Sequence, residues 1–213
     1  MRAQTPSIPD SERLSPSERS RIERTFAAVR ARGVEPAYAR DRHAALAQVL
    51  ARLPKGGLVS HGSSTTLLEI GLVDALKAPD SGFRYGNLEW QAEPDAAKRA
   101  RLRARVTVDS DVFLGSVQAI AETGEVVSAD AGGSRQLGYL FGPPKVLWVA
   151  GINKLVPTLA DGLRRLRDIA LPQEDARVRK IGGPGSYVGK LVVYERERPG
   201  RIHLILVGER LGF

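Results

Sequence analysis

The order of apolar and glycine-rich segments predicts an α/β fold: a largely parallel sheet flanked by helices, preceded by an N-terminal helical appendage. Three observations carry that expectation. From Gly57 onward, strand-like runs alternate with helix-like ones, the pattern of strand–helix–strand units. The run Val146-Leu147-Trp148-Val149-Ala150 is apolar without alternation, which suits a strand buried on both faces. Polar turns opening with glycine follow strand-like runs directly, at Gly62-Ser63-Ser64-Thr65-Thr66 and at Gly151-Ile152-Asn153-Lys154.

Residues 1–14 combine proline, serine and charge with little to bury and are expected to be a disordered tail. Residues 15–55 are expected to form the appendage. Ser15-Pro16-Ser17-Glu18 reads as a capping box with proline at the first helical position, Ile22, Phe26 and Val29 recur at helical spacing, and Gly33 stops the helix. A second helix over 39–53 carries Leu46, Val49, Leu50 and Leu53 on one face. Residues 56–213 then form the α/β domain. Its expected elements are a strand at Leu58–His61, a helix opening at Leu67, a strand at Phe83–Tyr85, a basic helix over 95–105 and a strand within 106–114. Ala119 to Val127 reads as two strands turning at Thr123-Gly124, and a short helix runs from Arg135 to Leu140. A helix carrying Leu159, Leu163, Leu166 and Ile169 follows Lys154, with Pro157 near its start and Pro172 at its end. After a glycine-rich loop at 182–189, strands at Leu191–Glu195 and Ile202–Val207 read as an edge hairpin around Arg198-Pro199-Gly200.

Composition excludes several kinds of protein. Among 213 residues there is no apolar run of about 18, the length a membrane-spanning helix needs. The first residues, MRAQTPSIPDSER, lack the apolar core of a signal peptide, so a cytoplasmic protein is expected. The absence of cysteine removes disulfides, thiolate catalysis and cysteine-held iron–sulfur clusters. The three histidines (His43, His61 and His203) are far apart in sequence, which argues against a zinc site, and no metal or other cofactor is expected. A net charge of +8 points to an anionic partner such as nucleic acid, a phosphorylated metabolite or a carboxylate. The charge is scattered arginine without a basic block, and aromatics are only 6 % of the chain, so nucleic acid is the weakest of the three.

The turns supply the candidate site. Gly62, Ser63, Ser64, Thr65 and Thr66 offer close backbone approach and four hydroxyls, a set suited to a phosphate or carboxylate; equally, Ser63 or Ser64 can simply cap a helix. No Walker lysine follows, so nucleotide hydrolysis gains no support. Asn153 and Lys154 can orient and neutralise an anion, or cap a turn and face solvent. If their strands are neighbours in a parallel sheet, both turns open onto one crevice. Arg135 can clamp a carboxylate through two parallel hydrogen bonds or pair with Asp130. Glu122, beside the Thr123-Gly124 turn, can serve as general base or nucleophile, or bond local N–H groups. His61 is a weaker acid–base candidate, and no GxSxG element is present.

Four ordered motifs, HGSSTTLLEIGL (61–72), LGSVQAIAETGEVV (114–127), FGPPKVLWVAGINKLVPTLADGLRRLRDIALPQEDAR (141–177) and ILVGERLGF (205–213), resemble the lactate-utilisation (LUD) domain family. With helices ahead of the domain, the chain is most similar to the short, free-standing protein C branch. The resemblance implies a fold like that of ribose-5-phosphate isomerase, glucosamine-6-phosphate deaminase and the CoA-transferases. It implies a role in a three-protein system oxidising L-lactate to pyruvate, as the cluster-free partner of iron–sulfur subunits. Some relatives carry a cysteine-rich segment where this chain has KIGGPGSYVGK (180–190), so no metal role is carried over. Analogy with the wider fold gives 62–66 as an anion loop and Glu122 as an acid–base or nucleophilic group. It also leaves the alternative of an independent enzyme acting on a sugar phosphate, CoA thioester or folate-like substrate.

Overall fold

Runs of branched and aromatic residues too short for helices, bounded by glycine, serine or charge, become strands in two sheets. A computed structural model describes residues 14–213, so the expected N-terminal tail lies, except for Leu14, outside the described residues. The large sheet holds six parallel strands: β1 (Glu35–Ala39), β2 (Leu58–His61), β3 (Arg84–Tyr85), β4 (Val112–Gly115), β7 (Lys145–Gly151) and β10 (Ile202–Val207). Their order is β1-β10-β7-β4-β2-β3. The small sheet, ordered β8-β5-β6-β9, is built from β5 (Ala119–Ala121), β6 (Val126–Asp130), β8 (Leu155–Val156) and β9 (Lys190–Tyr194). The Thr123-Gly124 turn joins β5 to antiparallel β6.

Helices cover the sheets: α1 (Pro16–Ala31), α2 (Arg42–Leu50), α3 (Thr65–Glu69), α4 (Leu72–Lys77), α5 (Asn87–Gln91), α6 (Ala96–Asp109), α7 (Ser134–Leu140), α8 (Leu159–Arg165) and α9 (Leu171–Lys180). Alternation along the central strands fills both faces of the large sheet. Val146, Trp148 and Ala150 of β7, with Ile202, Leu204 and Leu206 of β10, enter one core beside Ile22, Phe26 and Val29 of α1. Leu147, Val149, Ile205 and Val207 enter the other, beside α2, α3 and α4. The uniformly apolar run in β7 is therefore the mark of a central parallel strand. Trp148 also joins the two sheets. Its ring lies 4.9 Å from Tyr194 of β9 and 5.5 Å from Tyr139 of α7, both edge-on, the arrangement that ring quadrupoles favour.

Four details differ from or add to the expectation. First, the N-terminal helices pack into both cores with the rest of the chain, and between α1 and α2 runs an unanticipated strand, β1, paired along its length with β10. Pro36 hid that strand, yet a proline lacking N–H is tolerated at a sheet edge, which is where β1 lies. The second helix accordingly starts later, at Arg42, where the Asp41 side chain accepts from Ala44 N. Second, the basic helix continues to Asp109 and the following strand is confined to Val112–Gly115. Third, Pro172 does not end the helix begun at Leu159. A π-helical turn at Leu166–Ala170 carries it into α9, and the widened turn accommodates a residue that cannot donate to the ordinary helical ladder. Fourth, β9 and β10 are not a hairpin. β10 is apolar on both faces and lies between β1 and β7, whereas β9 pairs with β6 in the other sheet.

If α1 is part of the core, Phe26→Ala lowers the unfolding free energy by about 3–5 kcal/mol, the usual loss for a buried aromatic, within one cooperative denaturant transition. A separate early transition with the main midpoint unchanged would mean that residues 15–55 unfold as a unit of their own.

Candidate functional site

In a parallel sheet every strand delivers its following turn to the same edge. Here β2, β4 and β7 are consecutive neighbours, so the turns after His61, Gly115 and Gly151 converge. The turn after β7 is a 3-10 turn over Ile152–Lys154. It carries Lys154 inward, where the residue is only 2 % exposed. Lys154 Nζ donates to Thr66 Oγ1 at 3.1 Å and to Ser116 Oγ at 2.9 Å. The two polar turns thus meet, with Ser116 from the β4 turn between them. Burial, then the nearby guanidinium groups of Arg165 and Arg135, push the Lys154 pKa down to about 7, against an opposing pull from Glu69. No carboxylate pairs with Lys154 among the described residues.

These groups line a cavity of about 160 Å³ between the sheets. Its walls include Ser63, Ser64, Thr65 and Thr66, Ser116, Arg103 of α6, Arg135 of α7 and Lys154. Arg103 is held against the Trp90 ring, 4.9 Å from its centroid, as cations favour aromatic faces. The Asp130 carboxylate accepts from Gly133 N and Arg135 N, which starts α7 in place. The Arg135 side chain donates to Ala129 O and Ser63 O, both at 2.8 Å, while its buried Nε has no partner among the described residues. The pairing of Arg135 with Asp130 is therefore through the backbone, and the guanidinium ties α7 to the 62–66 turn. Glu174, also on the wall, is held by two hydrogen bonds from Arg177.

The structure does not gather all the expected residues. Ser63, Ser64, Thr65, Thr66, Arg135 and Lys154 share the cavity; Gly62, Asn153 and Glu122 are not on its wall. Gly62 packs beside the Arg135 stem, and Ser64 Oγ accepts from Leu67 N, so this serine does cap α3. Asn153 is bound in both directions to the C-terminal segment, accepting from Leu211 N and donating to Gly212 O, each at 3.0 Å. Glu122 is taken by the N-terminal helix: its carboxylate receives Arg21 Nε at 2.6 Å and lies 3.5 Å from Arg24. The Glu122 carboxylate thus faces these arginines and not the cavity described above. His61 bridges Gly62 O and the Tyr85 hydroxyl, and burial lowers its pKa. Ser116, Arg103 and Arg165 were not anticipated. Of these, only Ser116 left a sequence signal, since it follows the apolar run Val112-Phe113-Leu114 as the other polar turns follow theirs. Among the described residues no cluster of histidine and carboxylate side chains could hold a metal ion, and no helix is long and apolar enough to cross a membrane.

A family model described as the LUD domain matches residues 22–207, which takes in α1 and β1 as well as the cavity. The crystal structure of a DUF162 family protein from Deinococcus radiodurans is similar in fold, with a TM-score of 0.53 and 14 % identity over 92 % of this chain and 99 % of that one. Comparison with curated proteins finds no match.

Burial of Lys154 has a consequence for stability. Its ordinary pKa is 10.5 and its pKa in the fold is about 7. Between those values the unfolded chain holds a proton that the folded one lacks, so this group makes stability rise with pH across that window. Denaturant unfolding of the native chain and of Lys154→Met at several pH values checks this: their difference shifts in favour of the native chain from pH ~7 to ~10. A difference independent of pH contradicts it. Separately, Asn153→Ala leaves Leu211 N and Gly212 O without their partner and lowers stability by about 1–3 kcal/mol, with faster amide exchange at Leu211.

Proposed function

The chain belongs to the LUD domain family, and from that we propose that it binds a small carboxylate- or phosphate-bearing metabolite as a component of a lactate-utilisation system. The observation that carries this reading is Lys154: a buried amine on a cavity wall shared with Arg103 and Arg135, with no carboxylate paired to it among the described residues. Cationic groups withdrawn from water are destabilised unless a counter-charge or hydrogen bonds compensate them. The acidic side chains on the same wall are already engaged, Asp130 by backbone N–H groups and Glu174 by Arg177. An anion entering the cavity supplies the missing charge, and the hydroxyls of Ser63, Thr65 and Ser116 supply further hydrogen bonds.

Within that system, the proposed role is a cytoplasmic, cluster-free subunit oxidising L-lactate together with iron–sulfur partners. A chain without cysteine leaves thiolate-held clusters to its partners. The alternative of an independent enzyme using Glu122 is the weaker reading, because Arg21 and Arg24 hold that carboxylate away from the cavity.

Isothermal titration with L-lactate, acetate and inorganic phosphate tests the reading. Arg135→Ala and Lys154→Met each weaken the best-bound anion about tenfold or more, equivalent to about 1.4 kcal/mol, while Glu122→Gln leaves its affinity unchanged. Affinity falls as pH rises through about 7, where Lys154 loses its proton. No heat with any of the three anions, or equal loss in Glu122→Gln, overturns it.

A further inference from the structure

The hydrogen-bond count at Lys154 carries a second chemistry. An ammonium needs acceptors for three protons, whereas a neutral amine has two protons to donate in its usual bonding and keeps a lone pair. Thr66 Oγ1 and Ser116 Oγ are two acceptors, and no third hydrogen-bond partner meets Nζ among the described residues. The arrangement matches an amine that gives both protons to hydroxyls and keeps its lone pair unengaged beside an open cavity. The surroundings favour the same form. Burial and the Arg165 and Arg135 guanidinium groups lower the proton affinity of this nitrogen, and Glu69, which opposes them, accepts from Gly212 N. Lysines desolvated in this way are nucleophiles at neutral pH.

An amine nucleophile and guanidinium groups on one small cavity together fit a particular ligand: a molecule with an electrophilic carbonyl carbon next to a carboxylate. The guanidinium groups of Arg135 and Arg103 on the wall receive the carboxylate end. We propose that Lys154 condenses with the carbonyl carbon of a 2-oxo acid to form a Schiff base in this cavity. The inference rests on the anion-binding reading for the carboxylate end of the ligand alone.

The step balances without oxidant or reductant. The nitrogen lone pair forms a bond to the carbonyl carbon as the C=O π pair moves onto oxygen. A proton leaves nitrogen and one reaches that oxygen, giving the neutral carbinolamine, with Ser116 or Thr66 able to relay it. The nitrogen lone pair then forms the C=N bond, and the hydroxyl leaves as water after taking one further proton from solvent. Amine, 2-oxo acid and one proton give iminium and water. Addition of water reverses every bond change.

The probe is pyruvate, the smallest methyl-bearing 2-oxo acid, with the full-length protein and sodium cyanoborohydride, which reduces the iminium to a stable secondary amine. Intact-mass and peptide mapping read the product. The expected result is one N-(1-carboxyethyl) adduct per chain, on Lys154, absent with L-lactate, which has no carbonyl carbon to attack beside its carboxylate. Lys154→Met loses the adduct, and Arg135→Ala slows its formation about tenfold through loss of the carboxylate partner. Acetone, a ketone without carboxylate, labels Lys154 far less than pyruvate does. Adducts confined to exposed lysines or the N-terminus overturn the proposal, whether or not Lys154→Met folds. Because the anion titrations are run on the same protein, the two readings fail separately. Binding of lactate or phosphate with Lys154 left unlabelled by pyruvate and cyanoborohydride overturns the Schiff base alone. Equal reductive labelling of Lys154 by pyruvate and acetone, with no anion bound, supports the amine chemistry and overturns the carboxylate pocket.

Discussion

The edge of the large sheet is organised around one constraint: a lysine nitrogen has been taken out of water and must be satisfied. Lys154 meets it with two hydroxyls from two other strand turns, Thr66 after β2 and Ser116 after β4. Three consecutive strands are thereby joined at their carboxyl ends by one side chain. Because a buried cation without a partner is far more costly than a buried amine, the same constraint lowers its proton affinity. Structure and chemistry at this point are one requirement.

The rest of the cavity follows from keeping that nitrogen enclosed. Arg165 closes the wall behind it, donating to Asn153 O and Gln118 O. The C-terminal segment closes another side. Asn153 holds Leu211 and Gly212, and Glu69 accepts from Gly212 N at 2.6 Å. Gly212 has a positive φ of 55°, and a Cβ there would lie 2.3 Å from Thr66 Oγ1, against the hydroxyl that receives Lys154. Glycine is needed at that position for space and for backbone conformation together.

The two sheets are held in register by apolar contacts of equal specificity. Tyr139 donates its hydroxyl to Ser116 O at 2.8 Å, so the residue that supports Lys154 is itself fixed by the aromatic cluster around Trp148. Gly115 permits this, since a Cβ on it would lie 1.9 Å from the Tyr139 oxygen. At the β5–β6 turn, Arg21 and Arg24 of α1 take Glu122, while Arg32 pairs with Glu125 and Glu195. Those exposed and half-exposed pairs fix little energy individually. Their effect is to seat α1 against the β5–β6 turn and occupy the carboxylate that looked most like a catalytic group.

What the sequence determined by itself is the set of properties that depend on near neighbours along the chain. Unbroken apolarity in 146–150 identified a central parallel strand, Ser15 to Glu18 a helix start, Thr123-Gly124 a turn, and the glycine–hydroxyl segments the positions where strands deliver polar groups. What it left to tertiary structure is every property set by partners distant in sequence. Glu122 and Arg21 are 101 positions apart, and Lys154 and Thr66 are 88 apart. Nothing local distinguishes a turn carboxylate that will meet two arginines from one that will face a cavity. Nor does anything local show that Pro36 lies on an edge, that Pro172 will be absorbed by a π turn, or that a lysine after Asn153 will be buried. Spacing along the chain specifies which groups a turn presents; strand order decides which of them meet, because only the completed sheet determines what is withdrawn from water together.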